Sequence, residues 1–149
     1  MKVEYKIKHP FDEYYATIRG QYEGDAGIDL ISTIDCTLNP GEIVLIPAGI
    51  YVMIPKGYEG QIRARSGLAL NHGISLANGV GTIDSNYRNE LGAILVNLGR
   101  KPFEIKTGFR IAQFIVCPIV NPVFDRVFSF SDYAEDNPRD LKGFGSSGV

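Results

Sequence analysis

The chain predicts an all-β fold, a barrel or sandwich of short strands, and two observations carry that expectation. Runs dominated by Val, Ile, Tyr and Phe recur along the 149 residues, cut at close intervals by Gly, Pro and Asn. No long amphipathic helical pattern competes with them. A chain of this length is the size of one domain and can bury a core without disulfides or metals.

Taken in order, the expected strands are IVLIP (43–47), IYVMIP (50–55), GQIRAR (60–65), GAILVNL (92–98), FEI (103–105) and RIAQFIVCPIV (110–120). Their separators are PAG at 47–49, PKGYEG at 55–60, NHG at 71–73, NGVG at 78–81 and LGRKP at 98–102, all rich in residues that favour turns. SGLALN at 66–71 predicts about one turn of helix, with Ser66 as its cap ahead of Leu68, Ala69 and Leu70. The division expected is a β domain over 1–137 and a Gly/Ser-rich arm over 138–149, tethered by the linker-like SDYAEDNPRD.

Fifteen Lys and Arg against seventeen Asp and Glu give a net charge of −2, so no global field draws in nucleic acid or an anionic membrane. Any anion site must be local. Cys36 and Cys117 lack the paired spacing of a zinc or redox motif; both are expected as reduced thiols, one of them in the core, Cys117 lying inside IVCPIV. The start MKVEYKIKHP has no apolar signal region and no run approaches the roughly 20 apolar residues that span a bilayer, which predicts a cytoplasmic protein.

Five segments pair small flexible residues with a few polar ones: DAGIDL (25–30), RSGLA (65–69), NGVGTIDSNYRNE (78–90), GFRIAQ (108–113) and the tail RDLKGFGSSGV (139–149). RSGLA sets a basic side chain, a hydroxyl and free amides at a helix start, groups that can converge on phosphate, or simply cap a turn. NGVG followed by TID predicts a tight β-hairpin whose backbone can read the edge of a base, though such a sequence also serves as a plain turn. Gln113 stands in the middle of the apolar strand IAQFIV, where a buried amide needs partners. In the tail, glycines free the backbone to approach a ligand, Ser146 and Ser147 add hydroxyls, and Phe144 adds a flat apolar face. His9 and His72 have no metal-ligand partner at a useful spacing, and His72 is expected as an exposed turn residue near RSGLAL.

In this order the five segments resemble the motifs of the trimeric dUTPase family, from about Gly24 to Val149. The resemblance implies a jelly-roll-like homotrimer with active sites shared between subunits. It would convert dUTP to dUMP and pyrophosphate with Mg²⁺, limiting uracil in DNA and supplying dUMP for dTTP synthesis. It assigns Asp84 to the attacking water, and Arg65, Ser66 and the Gly67 amide to the phosphate chain. Asn78 and the backbone of Gly81, Thr82 and Ile83 fall to the uracil, and Tyr87 to packing under the deoxyribose. Asp29 and Gln113 would meet magnesium through water, with the metal held mainly by the triphosphate, while Arg110 supports the architecture. In the tail, Arg139 would contact the terminal phosphate, Phe144 stack on uracil, and Gly145, Ser146 and Ser147 meet the phosphates.

Ile28, Asn86 and Asn89 depart from the family pattern, as do Asp140, Leu141 and Lys142 between Arg139 and Gly143. A related dCTP deaminase is the enzymatic alternative; deaminating relatives resemble RSSLAR, whereas this chain reads RSGLAL and keeps TIDSNY. A second alternative is a regulatory protein that uses nucleotide occupancy as a signal.

Overall fold

The computed structural model describes residues 1–16 and 23–127. Among the described residues eleven strands and one short α-helix run in the order β1 (Glu4–Ile7), β2 (Ile28–Ile31), β3 (Cys36–Leu38), β4 (Ile43–Pro47), β5 (Ile50–Met53), β6 (Tyr58–Ala64), α1 (Ser66–His72), β7 (Ile74–Leu76), β8 (Gly81–Ile83), β9 (Gly92–Asn97), β10 (Phe103–Ile105) and β11 (Arg110–Pro118). A 3₁₀ turn, Phe11–Tyr15, follows β1. The all-β, jelly-roll-like class expected from the sequence is the one observed, and each of the six expected runs forms a strand. The arm over 138–149 and its linker lie outside the described residues.

Every strand pairing is antiparallel. The largest sheet has the order β2-β11-β6-β8, a second has β4-β9-β7, and β1-β5 and β3-β10 form two-stranded ribbons. In the large sheet Ile28, Phe114 and Ile62 stand opposite one another on the core face, and Asp29, Gln113 and Arg63 stand opposite one another on the other. This alternation is the period-2 consequence of the pleat. The register slips once, between Arg110 and Ala112, so that two successive residues, Ile111 and Ala112, are both buried. Gly60 leaves the space over which the Phe114 ring lies; a Cβ there would meet that ring and, at 2.8 Å, the Ile54 side chain.

Leu30, Leu38, Ile46, Ile50, Ile74, Leu91, Leu95, Ile105 and Ile111 are fully buried and form one core. Burying each such side chain stabilises the fold by about 1.5–3 kcal/mol before ordering costs. Two buried residues among those described are polar, Ser32 and Asn97; the Asn97 amide donates to the Leu38 and Lys101 carbonyls at 2.8 Å each and accepts from the Gly99 N–H at 2.8 Å. It thereby ties the end of β9 to β3 and to the following turn. Of the two thiols, Cys36 packs against the core, while Cys117 is half-buried; both are free.

Ser66 is not the helix cap. Arg65 occupies that position with extended backbone and no side-chain cap bond, and Ser66 is the first helical residue. The helix ends in Gly73 at φ 72°, whose N–H donates to the Ala69 carbonyl at 3.0 Å. No helix among the described residues is long and apolar enough to cross a membrane.

Tyr15 fixes the N-terminal segment to the core: its hydroxyl donates to the Ala48 carbonyl at 2.6 Å and accepts from the Ile31 N–H at 3.1 Å. Burial pushes its pKa up to about 12, the Ile31 N–H working against that rise and the Glu90 charge adding to it. The unfolded chain releases this proton near pH 10 and the folded chain holds it, so the contribution is complete below pH 10 and lost as pH climbs toward 12. Tyr15→Phe has no proton to lose. The stability gap between wild type and Tyr15→Phe, measured by urea unfolding, should therefore narrow by about 1.4 kcal/mol between pH 9 and pH 11.

Candidate active site

Most of the described candidate residues line one of two hollows that share no lining residue, while Asp29 and Asp84 line neither. The first is a groove of about 460 Å³ walled by Asn78, Gly81, Thr82, Ile83 and Tyr87, with Leu45, Ile62, Glu90 and Ile94 among its apolar and acidic neighbours. The second is a cleft of about 300 Å³ lined by Arg65, Ser66, Gly67, Leu68, Asn71, His72 and Gln113.

The groove begins with a correction. NGVG does not form a hairpin: β7 before it pairs with β9, and β8 after it pairs with β6, so the turn carries the chain from one sheet to the other. The turn itself is tight, with Gly79 at φ 71° and its N–H on the Leu76 carbonyl at 3.2 Å. The physical reason lies in β9, whose edge β7 completes opposite β4, while β6 offers a free edge to β8. β8 is thus the outer strand of its sheet, and its second edge meets no strand among the described residues. An open edge presents backbone donors and acceptors in fixed alternation, which is what recognition of a flat heteroaromatic edge needs. Gly81 permits this wall: a Cβ there would sit 3.2 Å from the Ile62 Cβ and 3.5 Å from the Asn78 Nδ2.

Asp84 follows β8 and is exposed, and the loop after it is tied to itself. The Tyr87 N–H donates to the Asp84 carbonyl at 3.0 Å. Arg88 Nη1 donates to the Ser85 and Tyr87 carbonyls at 2.8 and 2.7 Å. The Tyr87 ring is half-buried against the core, and its hydroxyl donates to the Glu90 carbonyl at 3.0 Å. A ring held at both ends forms a firm apolar floor for the groove.

In the cleft, Arg65 leaves β6 with its Nε 3.2 Å from Asp29 Oδ1 and its Nη1 donating to the Arg110 carbonyl at 2.9 Å. Arg110 Nη1 lies 3.3 Å from the other oxygen, Asp29 Oδ2. Asp29 therefore holds both guanidiniums, and Arg110 has the supporting part expected of it. The Oδ1 contact is an ion pair without aligned hydrogen-bond geometry, which leaves that buried oxygen with acceptor capacity. Gln113 is exposed rather than buried among core side chains. The bulge preceding it explains this, because Ile111 and Ala112 face the core in succession and Gln113 then faces out, opposite Asp29.

His72 is both exposed and a wall of the cleft, its ring 4.9 Å from that of Phe103. Sequence reasoning missed Asn71 as a second wall and Glu90 as part of the groove. Each ends a segment already marked by its polar residues, but neither spacing distinguishes it from a surface residue. Asp29 and Gln113 supply one carboxylate and one amide, and no cluster of three His, Cys, Asp or Glu side chains occurs among the described residues. Such a set fits magnesium whose inner ligands are phosphate oxygens and water, and does not fit an all-protein cage. Arg139, Phe144, Gly145, Ser146 and Ser147 lie outside the described residues.

An antiparallel all-β scaffold, an edge strand walling an apolar-floored groove, and a separate basic cleft define a jelly-roll-like protein with a polar site split in two. The chain matches the dUTPase family over residues 13–148 and belongs to it. It is 47% identical over 136 residues to the deoxyuridine 5'-triphosphate nucleotidohydrolase of Wolbachia from Culex pipiens, covering 90% of this chain and 84% of that protein. It is 44% identical over 156 residues to the enzyme of that name from Zymomonas mobilis, spanning 100% of both. Among solved structures, the dUTPase of Staphylococcus bacteriophage 80alpha bound to dUpNHpp is similar with a TM-score of 0.85 at 26% identity, covering 99% of each chain.

Proposed function

We propose that this protein hydrolyses dUTP to dUMP and pyrophosphate, with magnesium, as a homotrimer whose sites are shared between subunits. The observation that carries this reading is membership of the dUTPase family, together with a groove that could take a base and sugar and a basic cleft that could take phosphates. A single nucleotide then takes its base site from one subunit and its phosphate site from a neighbour.

The roles are those that resemblance to the dUTPase family implies, and the geometry is compatible with them. By that resemblance the β8 edge and Asn78 read the uracil and Tyr87 packs under the deoxyribose, where its ring would exclude a 2′-hydroxyl; all of these residues line the groove. Arg65, Ser66 and the Gly67 amide bind the phosphates, with Arg65 already aimed by Asp29 and by the Arg110 carbonyl. Magnesium, when bound, would neutralise phosphate charge and orient the phosphate chain; Asp29 and Gln113, opposite one another on adjacent strands, would hold it through water. Asp84 accepts a proton from water as the water oxygen bonds to the α-phosphorus. The bond from that phosphorus to the bridging oxygen breaks, and pyrophosphate leaves. Positioning and electrostatics supply the rate, with no covalent intermediate on the protein. Arg139, Phe144, Gly145, Ser146 and Ser147 complete the site as a closing arm, Phe144 over the base and the rest on the phosphates.

Nucleotide turnover measured by pyrophosphate release should be strong for dUTP and weak for UTP, dTTP and dCTP; appearance of dUTP from dCTP would identify a deaminase instead. Asp84→Asn keeps the shape of the side chain and removes its basicity. Its kcat should fall by about 100-fold or more, and wild-type turnover by the pure variant would refute Asp84 as the base.

The shared site has its own measurement. Asp84→Asn and a truncation after Asn137 are each inactive by this reading, and equal amounts assembled into mixed trimers give each site its Asp84 loop and its arm independently. About a quarter of sites then hold both intact parts, and activity should recover to about that fraction of wild type. A site built within one chain recovers nothing.

A further inference from the structure

We propose that Glu90 is a positioning residue for the sugar site, a latch that sets the depth of Tyr87 in the groove and with it the discrimination between deoxyribose and ribose. The inference rests on the reading of Tyr87 given above and goes beyond it. Glu90 stands at the end of the loop that carries Asp84 and Tyr87, and its carboxylate crosses to a distant part of the chain. Its Oε1 accepts from the Gly49 N–H at 2.8 Å, and its Oε2 lies 3.2 Å from Lys8 Nζ. Two backbone bonds flank that contact, from the Leu91 N–H to the Ile50 carbonyl at 2.8 Å and from the Ala48 N–H to the Leu91 carbonyl at 2.9 Å. The end of the loop is therefore fastened to the turn between β4 and β5.

The anchor on the far side is rigid. Gly49 is buried at φ 70°, where a Cβ would meet Thr33 Cγ2 at 2.7 Å and the Phe11 ring at 3.3 Å. The preceding Ala48 carbonyl is held by the buried Tyr15 hydroxyl. On the near side, the Glu90 backbone carbonyl accepts the Tyr87 hydroxyl at 3.0 Å. A displacement of Glu90 is thus transmitted to the tip of the Tyr87 ring, and through it to the floor of the groove that both residues line. The Gly49 bond, made by a largely buried carboxylate, dominates the latch. The Lys8 contact is half in solvent and contributes little.

Three substitutions separate the latch from a merely structural part. Glu90→Ala removes both contacts. Glu90→Asp keeps the charge but is one methylene too short to reach the Gly49 N–H, and it serves where the alanine variant does not fold. Glu90→Gln keeps an acceptor for that N–H without charge. The reading is the ratio of kcat/KM for dUTP to that for UTP, with kcat and KM resolved for each nucleotide and folding checked by melting temperature. Glu90→Ala and Glu90→Asp should lower the ratio by about 10-fold, mainly through a lower KM for UTP and a higher KM for dUTP. Glu90→Gln should restore it to within about two-fold of wild type. Gly49 amide hydrogen exchange should quicken in the first two variants and not in the third.

Tyr87→Ala is the control that separates the two readings. If it lowers the ratio while folded Glu90→Ala and Glu90→Asp leave it unchanged, or lower both nucleotides equally, the latch is overturned and the sugar site stands. If Tyr87→Ala leaves the ratio unchanged, the sugar site falls and the latch falls with it.

Discussion

β11 is hydrogen-bonded along both edges, to β2 on one side and β6 on the other, and the rest of the molecule depends on the register of those two ladders. The ladders place Asp29, Gln113 and Arg63 abreast on the outer face and Ile28, Phe114 and Ile62 abreast on the inner one. A slip of β11 by one residue would carry Gln113 into the core and Phe114 to the outer face, away from the apolar partners it now meets. Core burial thus enforces the polar constellation from behind. The single bulge in β11 is confined to its start, beside Arg110, and lets that residue offer its carbonyl to Arg65 and its side chain to Asp29 without disturbing the remaining pairs.

Asp29 performs two tasks that compete in principle. It holds two guanidiniums, and in the proposed function it would also meet magnesium-bound water. The geometry reconciles them, because Oδ2 serves Arg110 while Oδ1 meets Arg65 only as a loosely aligned ion pair. An anion in the cleft draws Arg65 toward itself and leaves Oδ1 to accept from water. In the proposed function the charge that orders the two guanidiniums would then also face the metal's hydration shell.

The strand runs were legible in the sequence because they are long enough, or apolar enough, to show a period. IVLIP, GAILVNL and RIAQFIVCPIV each became a strand. The three-residue strands β3 and β7 were not, since neither carries an apolar run bounded by turn residues on both sides as FEI does, and their partners are far away in sequence. That also explains the NGVG turn: its residues specify a reversal, and only the competition between β6 and β9 for partners decides whether the reversal stays within one sheet. Gln113 misled for a related reason, because a bulge shifts the alternation by one and no residue in RIAQF announces it. Ser66 gave way to Arg65 at the cap because the Arg65 side chain is already engaged by Asp29, which fixes the extended backbone that precedes the helix.

The two halves of the site differ in how they are made rigid, and the difference follows from what each must do. The phosphate side is aimed by charge, through guanidiniums on a shared carboxylate, and suits a ligand that is itself highly charged and recognised at long range. The base and sugar side is aimed by backbone: an edge strand, a glycine that admits Asn78, and a Tyr ring tethered through the Glu90 carbonyl to a loop whose end is bonded to the β4–β5 turn. Rejecting one extra hydroxyl requires a wall that does not yield, and a ring at the end of a free loop would yield. Steric selectivity therefore has to be built from contacts outside the groove, and in this chain those contacts reach Gly49, Ala48 and Tyr15, residues that touch no nucleotide in the proposed site.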